Sequence, residues 1–175
     1  MRRMSLVNGS ILGLGLVLAV GVGAAPLDSA QADGLLTVHR IPAALASEAV
    51  AEAVASCARQ HYAETAAIVD ADGVLVAELR GDGVGAHSLD SAFSKAFTSA
   101  SFKTDTLIMA DRAKTNTALP ILTSKLPHLL LLGGGVVIKA GDEVIGAIGA
   151  AGAPGADLDD ACAKAGLDKI KDRLK

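Results

Sequence analysis

TAAIVDADGVLVAELRGDGVGAHSLDSAFSKAFTSASF, residues 65–102, carries two strand patterns, a glycine-rich loop and a helix pattern in one unbroken run. Thr65 to Asp70 has the composition of a strand. In Asp70-Ala71-Asp72-Gly73, the Asp-Gly pair supplies the left-handed backbone that a tight hairpin needs. Val74 to Leu79 returns as the second strand, and strands joined by so short a turn must run antiparallel. A loop follows with glycines at 81, 83 and 85; it carries Arg80, Asp82 and His87. Ser88 is placed to cap a helix, with Asp90 in the first turn, where a negative charge suits the helix dipole. Leu89, Ala92, Phe93, Ala96, Phe97 and Ala100 then recur at three- and four-residue spacing. That pattern predicts a buried stripe, with Ser91, Ser94, Lys95 and Thr98 on the polar side.

Upstream, Pro42 suits the first turn of a helix spanning Ala43 to Gln60. Its apolar face carries Leu45, Ala49, Val50, Val54 and Cys57; Glu48, Glu52 and Arg59 fall opposite. The lead-in 33–40 includes LLTVH, which reads as a short strand or an extended arm. Downstream, Thr104 or Asp105 caps a helix running to Lys114. Thr115 to Leu126 reads as irregular or briefly helical, with Pro120 and Pro127 as breakers. His128 to Leu132 is an apolar run, interrupted by the glycines 133–135 before a strand at Val136 to Lys139. Ala140-Gly141-Asp142 turns into a last strand, Glu143 to Ala150. Asp157 caps a final helix ending near Leu174. The order predicts an α+β fold: a single antiparallel β-sheet of about five strands, covered by α-helices, in one domain over 33–175.

Residues 1–32 read as a secretory signal peptide, with Arg2 and Arg3 at its start and an uncharged run from Ile11 to Ala25. Ala30-Gln31-Ala32 is its cleavage site, so the chain is expected to be secreted or periplasmic, cut after Ala32. The apolar run is short of the roughly 20 residues of a membrane span. No span is expected after cleavage; a retained N-terminal anchor is the rival reading. Cleavage moves the net charge from −3 to about −4, because Arg2, Arg3 and Asp28 leave with the peptide. An acidic chain without a basic block argues against nucleic acid. Three Phe, one Tyr and no Trp leave almost no platform for stacking bases.

Taken jointly, the V-D-x-x-G hairpin, the R-x-D-G loop, the A-x-x-K-A-x-T helix and the G-x-I-G-x-x-G-A end resemble the GlcG/HbpS family of small haem-binding-type domains. The resemblance covers 66–102, 131–167 and the preceding helix, nearly all of the chain from Leu36. It implies an antiparallel α+β fold, self-association into homo-oligomers and, for exported members, haem as the cofactor. It also implies work in haem or iron handling, or as an accessory to a sensor kinase or another envelope protein.

The resemblance places a threonine iron ligand at Thr106. His87 is the better ligand by chemistry, since neutral imidazole suits iron. Arg80 and Lys95 have the charge to meet haem propionates; equally, Arg80 could pair with Asp82 and Lys95 could face an oligomer contact. Phe102, at a helix end, is the open aromatic, whereas Phe97 lies on the core stripe. Cys57 and Cys162 occupy apolar helix faces and form either a disulfide or two buried thiols. The GDGVG loop lacks the order of a phosphate-binding loop. His39, His61 and His128 form no metal-type pair, and no Ser/His/Asp arrangement stands out. The expectation is an exported haem-binding protein; a haem-degrading enzyme and a cofactor-free interaction module are the alternatives.

Overall fold

The computed structural model describes Gly34 and residues 37–175; the expected signal peptide 1–32 lies outside them. In chain order the elements are α1 (Ala43–Arg59), β1 (Thr65–Asp70), β2 (Leu75–Arg80), α2 (His87–Phe102), α3 (Thr106–Ala113), α4 (Ala118–Lys125), β3 (Gly135–Ala140), β4 (Glu143–Ala151) and α5 (Ala156–Ile170). No helix among the described residues is long and apolar enough to cross a membrane.

The sheet has four strands in the order β2-β1-β4-β3, every pair antiparallel. The hairpin β1–β2 is locked by Asp70, whose Oδ1 accepts the Asp72 and Val74 amides, each at 3.0 Å. All six residues of β1 are buried because both faces of the sheet are covered. Ala66 and Ile68 join the core under α1 and α5, whereas Ala67 and Val69 pack against α2. The helices therefore form a layer on each side of one sheet.

About five strands were expected, and the apolar run His128–Leu132 is not one of the four observed. Its backbone serves α2 instead: the Leu130 amide donates to the Thr98 hydroxyl at 2.8 Å. In the lead-in, Thr37 to Pro42 joins no strand or helix, and Leu35 and Leu36 of the expected LLTVH element lie outside the described residues. The brief helix expected in Thr115 to Leu126 is α4, and Pro127 follows its end. Pro120 is the third residue of α4, where a helix leaves its amide unbonded in any case. Ser88 does not cap α2, which starts one residue earlier; its hydroxyl donates to the Gly85 carbonyl at 2.7 Å and meets the Thr65 hydroxyl at 2.6 Å.

The largest departure concerns the rotation of α2. Lys95, Thr98 and Ser99, at 2%, 0% and 0% exposure, are buried with Ala92, Ala96 and Ala100, while Phe93 and Phe97 are only half-buried. Gly149 is the cause. A Cβ there would run into the Ala92 carbonyl, so the helix backbone lies directly on β4. A stripe of small side chains fits that approach and a phenylalanine does not. On the other face, a Cβ at Gly166 would meet the Ala53 Cβ at 3.0 Å, which brings α5 close to α1. There Cys57 and Cys162 form a disulfide with a Cα–Cα distance of 5.6 Å.

Candidate functional site

The residues expected to face a ligand occupy three separate places. Arg80 closes its own loop: Nε and Nη2 donate to the Val84 carbonyl at 3.0 and 2.5 Å, so the brace is that carbonyl and not Asp82. His87 is exposed at the first position of α2, beside Gly85. Phe102 lies at the other end, about 22 Å away along the axis at the α-helical rise.

Lys95 and Thr106 are near one another but buried. Lys95 Nζ donates to Asp159 Oδ2 at 2.5 Å and to the Ala150 carbonyl at 3.0 Å. The Thr106 hydroxyl accepts the Gly135 amide at 2.8 Å. Both flank the glycines that lead into β3: a Cβ on Gly134 would lie 3.1 Å from Lys95 Nζ, and one on Gly135 would lie 2.7 Å from Thr106 Cγ2. These two side chains hold α2, α3 and α5 to β3 and β4.

The open concave surface lies on the outer side of α2, where the rotation of the helix turned its aromatics. A hollow of about 620 Å³ is lined by Leu75, Glu78, Leu89, Phe93 and His128, among others. A second, of about 340 Å³, is lined by Phe97, Phe102, Leu126, Pro127 and Leu129, with Ser101. His128 stands between them. Its ring meets Phe93 at 5.4 Å and 80°, and Phe97 at 5.8 Å and 65°. Phe93 and Phe97 are themselves 5.9 Å apart. These edge-on contacts are the favoured aromatic geometry. All three phenylalanines of the chain thus line this one surface.

His128 is exposed, and neither ring nitrogen has a hydrogen-bond partner among the described residues. A positive φ of 62° at His128 turns the chain after Pro127. Burial, and next the Asp90 charge, raise the Glu78 carboxyl above its ordinary range. The donor set fits a flat group carrying a metal: an imidazole nitrogen beside the rings of Phe93 and Phe97. Lys103 and Lys125, exposed and adjacent in sequence to Phe102 and Leu126, offer cations at the rim of the second hollow.

The sequence reading did not single out His128 or Phe93 for a ligand. The usable signal was three phenylalanines on a single helix in a chain with no others. Pairing them with a histidine from a distant loop required the fold.

No curated protein matches the chain. The crystal structure of HbpS matches with a TM-score of 0.71 and 34% identity, over 77% of this chain and 92% of that one. A double mutant of Streptomyces reticuli HbpS matches with 0.72 and 35%, over 83% and 96%. A crystal structure of a PduOC haem complex has the same fold, with a TM-score of 0.70 at 24% identity, over 75% and 96%. Residues 41–168 match the family described as haem degrading protein HbpS-like, and the chain belongs to that family.

Proposed function

We propose that the chain is an exported haem-binding protein that works as a homo-oligomer, with haem lying against Phe93, Phe97 and Phe102 and His128 facing the iron. The observation that carries this is the His128 imidazole, exposed and unbonded, standing edge-on to two phenylalanines between two hollows, the second of them mostly apolar. Family membership supports haem as the group, and the PduOC complex is a protein of this fold that was crystallised with haem. Bound haem would supply a redox-active iron. In this reading Arg80 and His87 shape the loop before α2, while Lys95 and Thr106 hold the wall from inside.

The expected signal peptide supports export. Exposed apolar residues on α3 and α4, among them Ile108 at 48%, Ile121 at 63% and Leu122 at 42%, support self-association. An envelope sensor kinase or a similar protein is the proposed partner class. Adding haemin to the protein and following the Soret band tests the reading; absence of saturable binding would sink it.

The family description favours a second reading, oxidative haem breakdown with an external reductant. Ascorbate and dioxygen added to the haem-loaded protein separate the two. Breakdown loses the Soret band with release of iron; simple binding keeps it.

A further inference from the structure

Glu64 lies just before β1, beneath α1 and α5, and is 1% exposed. Its Oε2 accepts the Ala153 amide at 3.1 Å, and that amide also donates to Asp159 Oδ1 at 3.0 Å. Oε2 also lies 3.1 Å from Cys57 Sγ. A disulfide sulfur has no proton to donate, so this is a contact and not a hydrogen bond. Oε1 has no partner among the described residues. A buried oxygen without a partner is costly, and the proton that burial and the Asp159 charge hold on this carboxyl up to about pH 8 offsets part of that cost. Lys95 is engaged by Asp159 and Ala150.

The disulfide lies beside this carboxyl. One ligand atom each from Cys57, Glu64 and Cys162 lies within 4.8 Å of the others, and all three residues are buried. Two sulfurs and one carboxylate oxygen form a donor set for a borderline divalent cation. We propose that the reduced form of this chain binds one Zn²⁺ ion through Cys57, Cys162 and Glu64.

The chemistry balances as follows. A dithiol reductant delivers two electrons and two protons to the Cys57–Cys162 bond and is itself oxidised to its disulfide. The S–S bond breaks and two thiols form. On metal binding, the two thiols and the Glu64 carboxyl each release a proton to solvent, and the two thiolates coordinate with the Glu64 carboxylate as third ligand. Ligands about 2.0 to 2.3 Å from zinc sit roughly 3.5 to 3.8 Å from one another. The three ligand atoms already lie within 4.8 Å of one another, and after reduction the two sulfurs, now bonded, move apart to reach that spacing. The fourth position is left to a water. A hollow of about 300 Å³ lined by Val54, Ala58, Tyr62 and Glu64 offers the way in from solvent. The disulfide thus caps a site that reduction uncovers, with Glu64 Oε2 already 3.1 Å from Cys57 Sγ.

The test uses the whole chain, reduced by a dithiol without oxygen, freed of reductant and titrated with Co²⁺. A thiolate-to-cobalt charge-transfer band should saturate at one equivalent, disappear on adding Zn²⁺, and be absent from the oxidised protein. Glu64→Gln should weaken binding at least tenfold, and Cys162→Ala should abolish the band. Circular dichroism follows folding throughout. A reduced, folded chain without the band overturns the proposal; so does a reduced chain that stays unfolded with metal, or a Glu64→Gln variant that binds as tightly as the parent. X-ray absorption on the zinc-loaded parent gives a readout independent of any variant. Two sulfurs with oxygen neighbours support the site, and a four-sulfur or sulfur-free shell overturns it.

Discussion

Lys95 Nζ stands 2.5 Å from Asp159 Oδ2, with the two side chains 3% and 7% exposed. This buried ion pair joins α2 on one face of the sheet to α5 at the other side of β4. Removing one partner leaves an uncompensated buried charge, which costs on the order of 3–5 kcal/mol. Lys95→Met is therefore expected to lower the melting temperature sharply. Adding Asp159→Leu to it should recover part of the loss. Thermal unfolding followed by circular dichroism measures both, and equal or additive losses would show that the pair is not a coupled unit.

Gly149→Ala places a methyl group against the Ala92 carbonyl. Backbone on both sides leaves little room to yield, so the substitution should destabilise by about 2 kcal/mol or more. Urea unfolding of parent and variant checks this. A loss below about 0.5 kcal/mol would mean that α2 can lift off the sheet cheaply.

The Glu64 carboxyl is pushed up to about 8, first by burial and then by the Asp159 charge, from 4.5. Its folded value lies above its unfolded one, so the folded state holds the extra proton between the two. For this group stability is greatest below about 4.5, falls as pH rises, and is fully lost above about 8. In the oxidised, metal-free protein the loss should be on the order of a few kcal/mol. Denaturant unfolding from pH 5 to 9 reads the slope. Glu64→Gln should flatten it, since an amide has no proton to lose.

His128→Ala should weaken haemin binding at least tenfold and shift the Soret maximum, because the imidazole is the proposed iron ligand. His87→Ala, about 22 Å from Phe102 along α2, should leave the spectrum unchanged. Thr106→Ala should lower the melting temperature by removing the acceptor of the Gly135 amide, while the Soret position stays where it was. A Soret shift in the threonine variant alone would return the iron to Thr106.

Much of the fold is local and can be read along the chain. The Asp72-Gly73 and Gly141-Asp142 turns are too short for a crossover, so each strand pair had to be antiparallel. The span Ala43–Gln60, read from periodicity, matches α1 within a residue. Cys57 and Cys162 were legible as residues of apolar helix faces; that the faces meet closely enough for a disulfide depends on packing at Gly166.

Which side of α2 faces inward is set by long-range packing. Hydrophobic periodicity ranks the aromatic stripe as the core face, and it does so by polarity alone. The sheet chose by distance: glycine in β4 brings the α2 backbone so near that alanine, serine and threonine fit beneath it. Lys95 could follow them inward because Asp159, 64 residues later, waits there to neutralise it. Phe93 and Phe97 were thereby turned outward to meet His128, a contact between residues far apart in the chain. Spacing along a sequence reports which residues share a helix face. It does not report how closely a partner's backbone approaches that face, and here that approach moved the candidate site to the outer side of α2.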